Sequence, residues 1–217
     1  MRIKICGVTS REAAEAAARS GVDSVGFVFA ESPRRITPAE AFRIAADLPA
    51  SVERVAVFRL PRPEEVARVL ESFDADRVQC EAGTEILAAS FAPRVLPVLH
   101  DGDTLERDAA ELPAGRLVLL EAAGRGGRGV RPDWARASRL ASARPTILAG
   151  GLDPANVAEA IRTVRPWGVD VSSGVESAPG VKSPSLIAAF VDAVRSVAPE
   201  ATRPGPSTGF LEEEIRT

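Results

Sequence analysis

The sequence predicts a single (β/α)8 barrel, the TIM-barrel fold, from three observations. A length of 217 residues, of which 45% are hydrophobic, suits one globular domain near the lower size limit of such a barrel. Eight short apolar runs alternate strictly with eight helix-like segments, which favours a closed parallel barrel over an open doubly wound sheet. Reactive side chains follow several of these runs, where a barrel builds its site. We expect the barrel to span residues 1–198, with a short flexible C-terminal extension over residues 199–217.

The element bounds follow from the apolar runs and from capping residues. Ser10 can cap the first helix, and Thr37 with Pro38 and Glu40 forms a capping box with proline in the first turn. The predicted strands are Arg2–Cys6, Asp23–Phe29, Val52–Phe58, Arg77–Cys80, Arg94–Leu99, Leu117–Glu121, Thr146–Ala149 and Gly168–Ser172. The predicted helices are Ser10–Ser20, the helix capped by Thr37, Pro63–Ser72, Glu85–Phe91, Thr104–Leu112, Pro132–Ala141, Pro154–Val164 and Pro184–Val197.

The composition argues against several function classes. A formal net charge of −3 offers no basic field for nucleic acid, and no apolar run approaches the roughly 20 residues that cross a membrane. The only histidine, His100, cannot anchor a histidine-based metal site alone, and no dinucleotide or P-loop fingerprint is present. Cys6 and Cys80 each close a predicted strand with no secretory signal before them, so we expect a reduced, cytoplasmic setting.

Cys6 and Glu121 are the candidate acid–base groups. Cys6 ends the first strand, where alternation points it into the barrel above Lys4, and this lysine could depress the pKa of the thiol. Glu121 directly follows an apolar strand and could be a general acid if burial raises its pKa. The alternatives are a buried structural cysteine and a loop-capping or salt-bridged glutamate.

Other polar groups predict contacts to a ligand. Asp170 faces away from the valines beside it in the eighth strand, and either touches a ligand or pairs with Lys4. Arg34, in the loop after the second strand, could clamp a carboxylate or be a solvated arginine. The segment 124–129 is expected to be a mobile loop over the mouth. The alternative, an RNA-binding glycine–arginine segment, is disfavoured because the segment is short and lacks aromatic residues and the protein is acidic overall.

The loops after the seventh and eighth strands predict a phosphate site. Gly150 and Gly151 lie in the first loop, and Ser173 and Gly174 lie in the second. Barrels of this class often bind phosphate between these two loops, through backbone amides and a helix N-terminus.

These residues, in this order, resemble the phosphoribosylanthranilate isomerase family of tryptophan biosynthesis. The similarity runs from the start of the chain to about Val197. The matching stretches are residues 4–9, 26–29, 32–38, 78–79, 126–129 with 133–134, 150–156, and 170–176 with 179–180 and 182.

The resemblance implies an aldose–ketose isomerase, an intramolecular oxidoreductase that needs no metal and no cofactor. It acts on a small phosphorylated sugar-amine through an Amadori rearrangement. An acid opens the sugar to a Schiff base, and a base then removes the C2′ proton. We expect a monomer rather than a homodimer. The implied roles are base for Cys6, acid for Glu121, substrate binding for Arg34, Gln79, Glu81 and Asp170, and phosphate binding for Gly150, Gly151, Ser173 and Gly174.

Several positions around the mouth depart from the family pattern, and two of them are candidate site residues. The family usually has aspartate where this chain has Glu121, and histidine where it has Glu81. A longer acid can be misplaced by about 1 Å, which can cost roughly a hundredfold in rate. Two alternatives therefore stay open, a paralogue that acts on a related phosphosugar-amine conjugate in a specialised pathway and a phosphate-ligand binding barrel without catalysis.

Overall fold

The computed structural model of the chain describes residues 1–81, 83–123 and 130–197. The predicted mobile loop over 124–129 and the predicted extension over 199–217 lie outside the described residues. No helix in the described ranges is long and apolar enough to span a membrane.

Eight parallel strands form a closed barrel, with the last strand paired to the first, which confirms the predicted fold. The pairing runs in chain order, as expected when each strand is followed by a helical crossover. The strands are β1 Arg2–Cys6, β2 Ser24–Val28, β3 Glu53–Val57, β4 Arg77–Cys80, β5 Val95–His100, β6 Val118–Glu121, β7 Thr146–Leu148 and β8 Gly168–Val171.

The helices lie between the strands, and several are shorter than predicted. The helix after β4 spans five residues and is followed by a 3₁₀ turn, Ala92–Arg94. The helix after β7 begins three residues later than expected because the carboxylate of Asp153 caps the amides of Ala155 and Asn156 in a turn. The helices are α1 Arg11–Arg19, α2 Pro38–Ala45, α3 Pro63–Ser72, α4 Thr84–Ala88, α5 Leu105–Ala110, α6 Trp134–Ala143, α7 Val157–Val164 and α8 Pro184–Val197.

Local capping places helix starts as the sequence predicts. Thr37 accepts a hydrogen bond from the Glu40 amide, and the Glu40 carboxylate accepts one from the Thr37 amide, so the capping box forms before α2. Ser10 caps α1 through the Ala13 amide. These caps fix where α1 and α2 begin, and so the length of the loops that follow β1 and β2 on the rim.

An additional hairpin follows β8 and was not predicted. It consists of β9 Glu176–Ala178 and β10 Val181–Lys182, and a 3₁₀ turn, Ser173–Val175, connects it to β8. The Thr9 hydroxyl donates to the Gly180 carbonyl at 2.7 Å, which ties the hairpin turn to the loop after β1. The hairpin therefore covers part of the C-terminal mouth of the barrel.

Candidate active site

A cavity of about 1430 Å³ opens at the C-terminal ends of the strands. Its lining comes from every part of the rim except the loops after β7, so residues far apart in sequence meet there. The predicted site residues that line it are Cys6, Arg34, Gln79, Glu81, Glu121, Asp170 and Ser173. Gly150, Gly151 and Gly174 are not part of its lining and lie in the adjoining loops.

Cys6 ends β1 with its side chain inside the barrel, beside Lys4. A Cβ built on Gly26 of the neighbouring strand would approach the Cys6 Sγ at 3.0 Å and the Lys4 Nζ at 3.2 Å, so a larger residue there would push on both side chains. Burial raises the pKa of the Cys6 thiol, although Lys4 and Lys182 act in the opposite direction. The predicted depression of this pKa is therefore wrong, because desolvation outweighs the nearby ammonium groups.

Lys4 and Asp170 form a buried ion pair inside the barrel. The Nζ–Oδ1 distance is 2.9 Å, and the two side chains are 2% and 5% exposed. Burial opposes the lysine charge, but Asp170 and Cys6 together raise the pKa of the ammonium above its usual value. The pairing that the sequence left as one alternative is thus present, and Asp170 also reaches the cavity wall.

Glu121 is the last residue of β6 and is mostly buried at the cavity wall. Burial raises the pKa of its carboxyl, and Asp170 and Glu81 raise it further, whereas His100 and Lys4 lower it. A carboxyl that keeps its proton to higher pH than usual is suited to general acid catalysis.

Arg34 is held by an ion cluster that the sequence did not predict. Its Nε and Nη2 donate to the two carboxylate oxygens of Glu176 at 2.7 and 2.8 Å. Lys182 donates to the same carboxylate at 2.6 Å and to the Ser172 carbonyl at 3.1 Å. Burial alone would raise the pKa of the Glu176 carboxyl, but Arg34 and Lys182 together hold it below its ordinary value. The cluster fixes the Arg34 guanidinium, and within the described part of the chain Nη1 makes no hydrogen bond, which leaves its donors for a ligand.

Gln79 and Glu81 line the wall formed by β4. The Gln79 Oε1 is buried without a hydrogen-bond partner among the described residues, so the amide has capacity for a ligand. Glu81 contacts His100 Nε2 at 3.3 Å and Arg59 Nε at 3.4 Å.

The glycine loops bring two backbone segments together. Gly150 and Gly151 adopt φ of +89° and +61°, which favour glycine. A Cβ on Gly174 would lie 1.9 Å from the Leu152 carbonyl oxygen, so the loops after β7 and β8 pack backbone against backbone. The amides of Gly151, Ser173 and Gly174 donate to no backbone acceptor in the ranges that the structure describes. They are therefore available to an anion.

Three groups of this site carried no predicted role: Lys182, Glu176 and His100. Lysine occurs only twice in the chain, and both lysines are buried at this site. Because lysine is so rare in this chain, both lysines could have been selected from the sequence as candidate site residues. Within the described residues, no three histidine, cysteine, aspartate or glutamate side chains are grouped so that they could hold a metal ion.

The comparison with known proteins decides the family. The model of the N-(5′-phosphoribosyl)anthranilate (PRA) isomerase family matches residues 3–193. The chain belongs to this family. The PRA isomerase of Roseiflexus sp. is 43% identical over 91% of this chain and 99% of its own, and that of Bordetella petrii is 42% identical over 89% and 94%.

Solved PRA isomerases share the fold. The enzyme from Thermus thermophilus superposes with a TM-score of 0.81 at 37% identity, covering 91% of this chain and all of its own. A second PRA isomerase, at 36% identity and a TM-score of 0.76, covers 90% of this chain and 99% of its own. It was solved in complex with reduced 1-(o-carboxyphenylamino)-1-deoxyribulose 5-phosphate.

Proposed function

We propose that the chain converts N-(5′-phosphoribosyl)anthranilate to 1-(2-carboxyphenylamino)-1-deoxyribulose 5-phosphate, with Glu121 as general acid and Cys6 as general base. One observation carries the assignment: Cys6, at the end of β1, and Glu121, at the end of β6, line the same cavity. The two strands are separated by β7 and β8 in the closed barrel, so the groups approach a ligand from different sides.

The first step is opening of the ribose ring. Glu121 gives its proton to the ring oxygen, the bond from that oxygen to C1′ breaks, and a cationic Schiff base forms at C1′. Burial raises the pKa of the Glu121 carboxyl, and this direction favours the protonated form that the transfer needs.

The second step is removal of the C2′ proton by the Cys6 thiolate. The electron pair of the C–H bond forms the enolamine, which relaxes to the ketose when C1′ takes up a proton and the enol hydroxyl loses one. Burial disfavours the thiolate, but Lys4 and Lys182 favour it, and the positive Schiff base adds a further charge beside it. We therefore expect the Cys6 thiol to release its proton to solvent in the open cavity, and so to become a base, chiefly after ring opening.

The ends of the substrate are held by two anion sites. The free amides of Gly151, Ser173 and Gly174, with Gly150 in the same loop, are suited to the phosphate. The remaining Nη1 donors of Arg34 are suited to the anthranilate carboxylate, and Gln79, Glu81 and Asp170 would contact the groups between them.

Complementation tests the reaction. The intact chain should restore growth without tryptophan to a strain that lacks its own isomerase, and Cys6→Ala and Glu121→Gln should not. Soluble, folded protein that fails to restore growth would favour the alternative of a different phosphosugar-amine substrate. Binding of a product analogue without turnover would favour the non-catalytic alternative.

We further propose a cytoplasmic monomer. Cys6 and Cys80 are both free and buried, which is consistent with a reducing compartment. Family members differ in assembly, since the Thermotoga maritima enzyme is dimeric and has been converted to monomers. Light scattering coupled to gel filtration should give one chain mass, and twice that mass would contradict the monomer.

A further inference from the structure

A histidine–carboxylate pair lies on the wall of the cavity between β4 and β6. His100 ends β5, and its Nε2 is 3.3 Å from an oxygen of Glu81, which follows β4. Its Nδ1 lies 3.4 Å from the Ala122 carbonyl oxygen, which follows β6. Both neighbours accept hydrogen bonds, and only the doubly protonated imidazole has a donor for each of them.

His100 is also the cross-strand neighbour of Glu121. The two residues are paired in the register of β5 and β6, and both side chains line the cavity. Paired residues on adjacent parallel strands point to the same side of the sheet, so the imidazole and the carboxyl are neighbours. A positive His100 consequently acts on the carboxyl to which the proposed function assigns the acid role.

We infer that His100 is a positioning residue for ring opening, because its imidazolium, anchored by Glu81, makes it easier for Glu121 to release its proton to the ring oxygen. The inference rests on the proposed function for the catalytic consequence alone. The expected effect of the His100 charge on Glu121 does not depend on whether Glu121 is the acid.

The charged groups around Glu121 act in opposing directions. Glu81 and Asp170 hold its proton, whereas His100 and Lys4 promote its release, and burial raises the pKa of the carboxyl. Lys4 is paired with Asp170 at 2.9 Å, whereas Glu81, the partner of His100, also contacts Arg59. Burial thus favours the protonated form of Glu121, and His100 opposes that effect and makes the proton easier to donate.

The test is a titration of the Glu121 carboxyl by 13C NMR in the free protein. The resonance is assigned by its disappearance in Glu121→Gln. In His100→Gln the midpoint should move up by about 0.5–1 pH unit, and in His100→Lys, where the charge is permanent, it should stay or move down. Arg59→Gln is the matched control. It removes the other cation that contacts Glu81, and it should leave the midpoint in place because Arg59 is half-exposed and screened.

Kinetics provide the second readout. His100→Gln should lower kcat roughly threefold to tenfold with little change in KM, and should move upward the limb of the kcat/KM profile that reports the Glu121 carboxyl. Equal shifts of the midpoint in His100→Gln and His100→Lys, or no shift in either, would overturn the inference. If the midpoint moves as expected but Glu121→Gln keeps full turnover, the proposed acid role of Glu121 fails and the charge coupling stands.

Discussion

Replacing Glu176 by glutamine tests the ion cluster that holds Arg34. The change leaves the shape of the side chain and removes the negative charge between two cations. The side chains of Glu176, Arg34 and Lys182 are 5%, 11% and 0% exposed, so the unpaired cations stay largely out of water. Breaking a buried pair costs about 3–5 kcal/mol. Because this cluster borders an open cavity, we expect about 2–4 kcal/mol for Glu176→Gln.

Urea denaturation of both proteins at pH 7 measures this loss directly. Glu15→Gln is the matched control, since Glu15 pairs with Arg19 on the surface of α1 and its loss should cost under about 0.5 kcal/mol. Glu176→Gln should also raise KM more than it lowers kcat, because Arg34 loses its fixed orientation. A cost below about 1 kcal/mol with an unchanged KM would refute the role assigned to the cluster.

The difference in the free energy of unfolding between Glu176→Gln and the parent protein should depend on pH, and its direction follows from the pKa of Glu176. Arg34 and Lys182 hold the pKa of the Glu176 carboxyl below its ordinary value of 4.5, against the effect of burial. A carboxyl whose pKa is lower in the folded protein than in the unfolded chain stabilises the fold when the pH is above the unfolded-chain value. This stabilisation is lost as the pH falls through the folded-state pKa. The difference between Glu176→Gln and the parent should therefore shrink as the pH falls below 4.5. A constant difference would contradict the assignment.

The remaining predictions concern the phosphate loops and the acid. Gly174→Ala should lose roughly 1–3 kcal/mol of stability and most affinity for inorganic phosphate, measured by calorimetry, because its Cβ meets the Leu152 carbonyl. Unchanged phosphate affinity in a folded Gly174→Ala would exclude this loop as the anion site. Glu121→Gln should be more stable than the parent at pH 8, because the raised pKa of Glu121 means that the folded protein loses stability as this carboxyl ionises. Lower stability of Glu121→Gln at pH 8 would contradict that direction.

The fold, and the side chains that the strands present at the mouth of the barrel, could be predicted because they depend on sequence patterns within each strand and helix. The alternation of apolar runs gave the strands, and the capping box at Thr37 placed the start of α2. Strand alternation also placed Lys4 and Cys6 on the inside of the barrel, where the structure has them. Each of these features depends on neighbours within a few residues along the chain.

The features that the sequence did not predict depend on long-range contacts. Arg34 and Glu176 are 142 positions apart, so their bidentate pairing appears only when the hairpin β9–β10 folds over the mouth. The pKa of Cys6 was predicted in the wrong direction because the lysine nearby was visible in the sequence, whereas the extent of burial was not. His100 was considered only as a metal ligand, and its neighbours come from β4 and β6.

The proton-transfer role of Cys6 is tested most directly by the turnover of two cysteine variants. Cys80 is the matched control, because it is also free, buried and at the end of a strand, but packs in the apolar cluster around β4. The account predicts that Cys6→Ala lowers kcat about 10²–10⁴-fold while Cys80→Ala keeps kcat within about threefold. A Cys6→Ala variant that turns over N-(5′-phosphoribosyl)anthranilate as fast as Cys80→Ala would contradict the account.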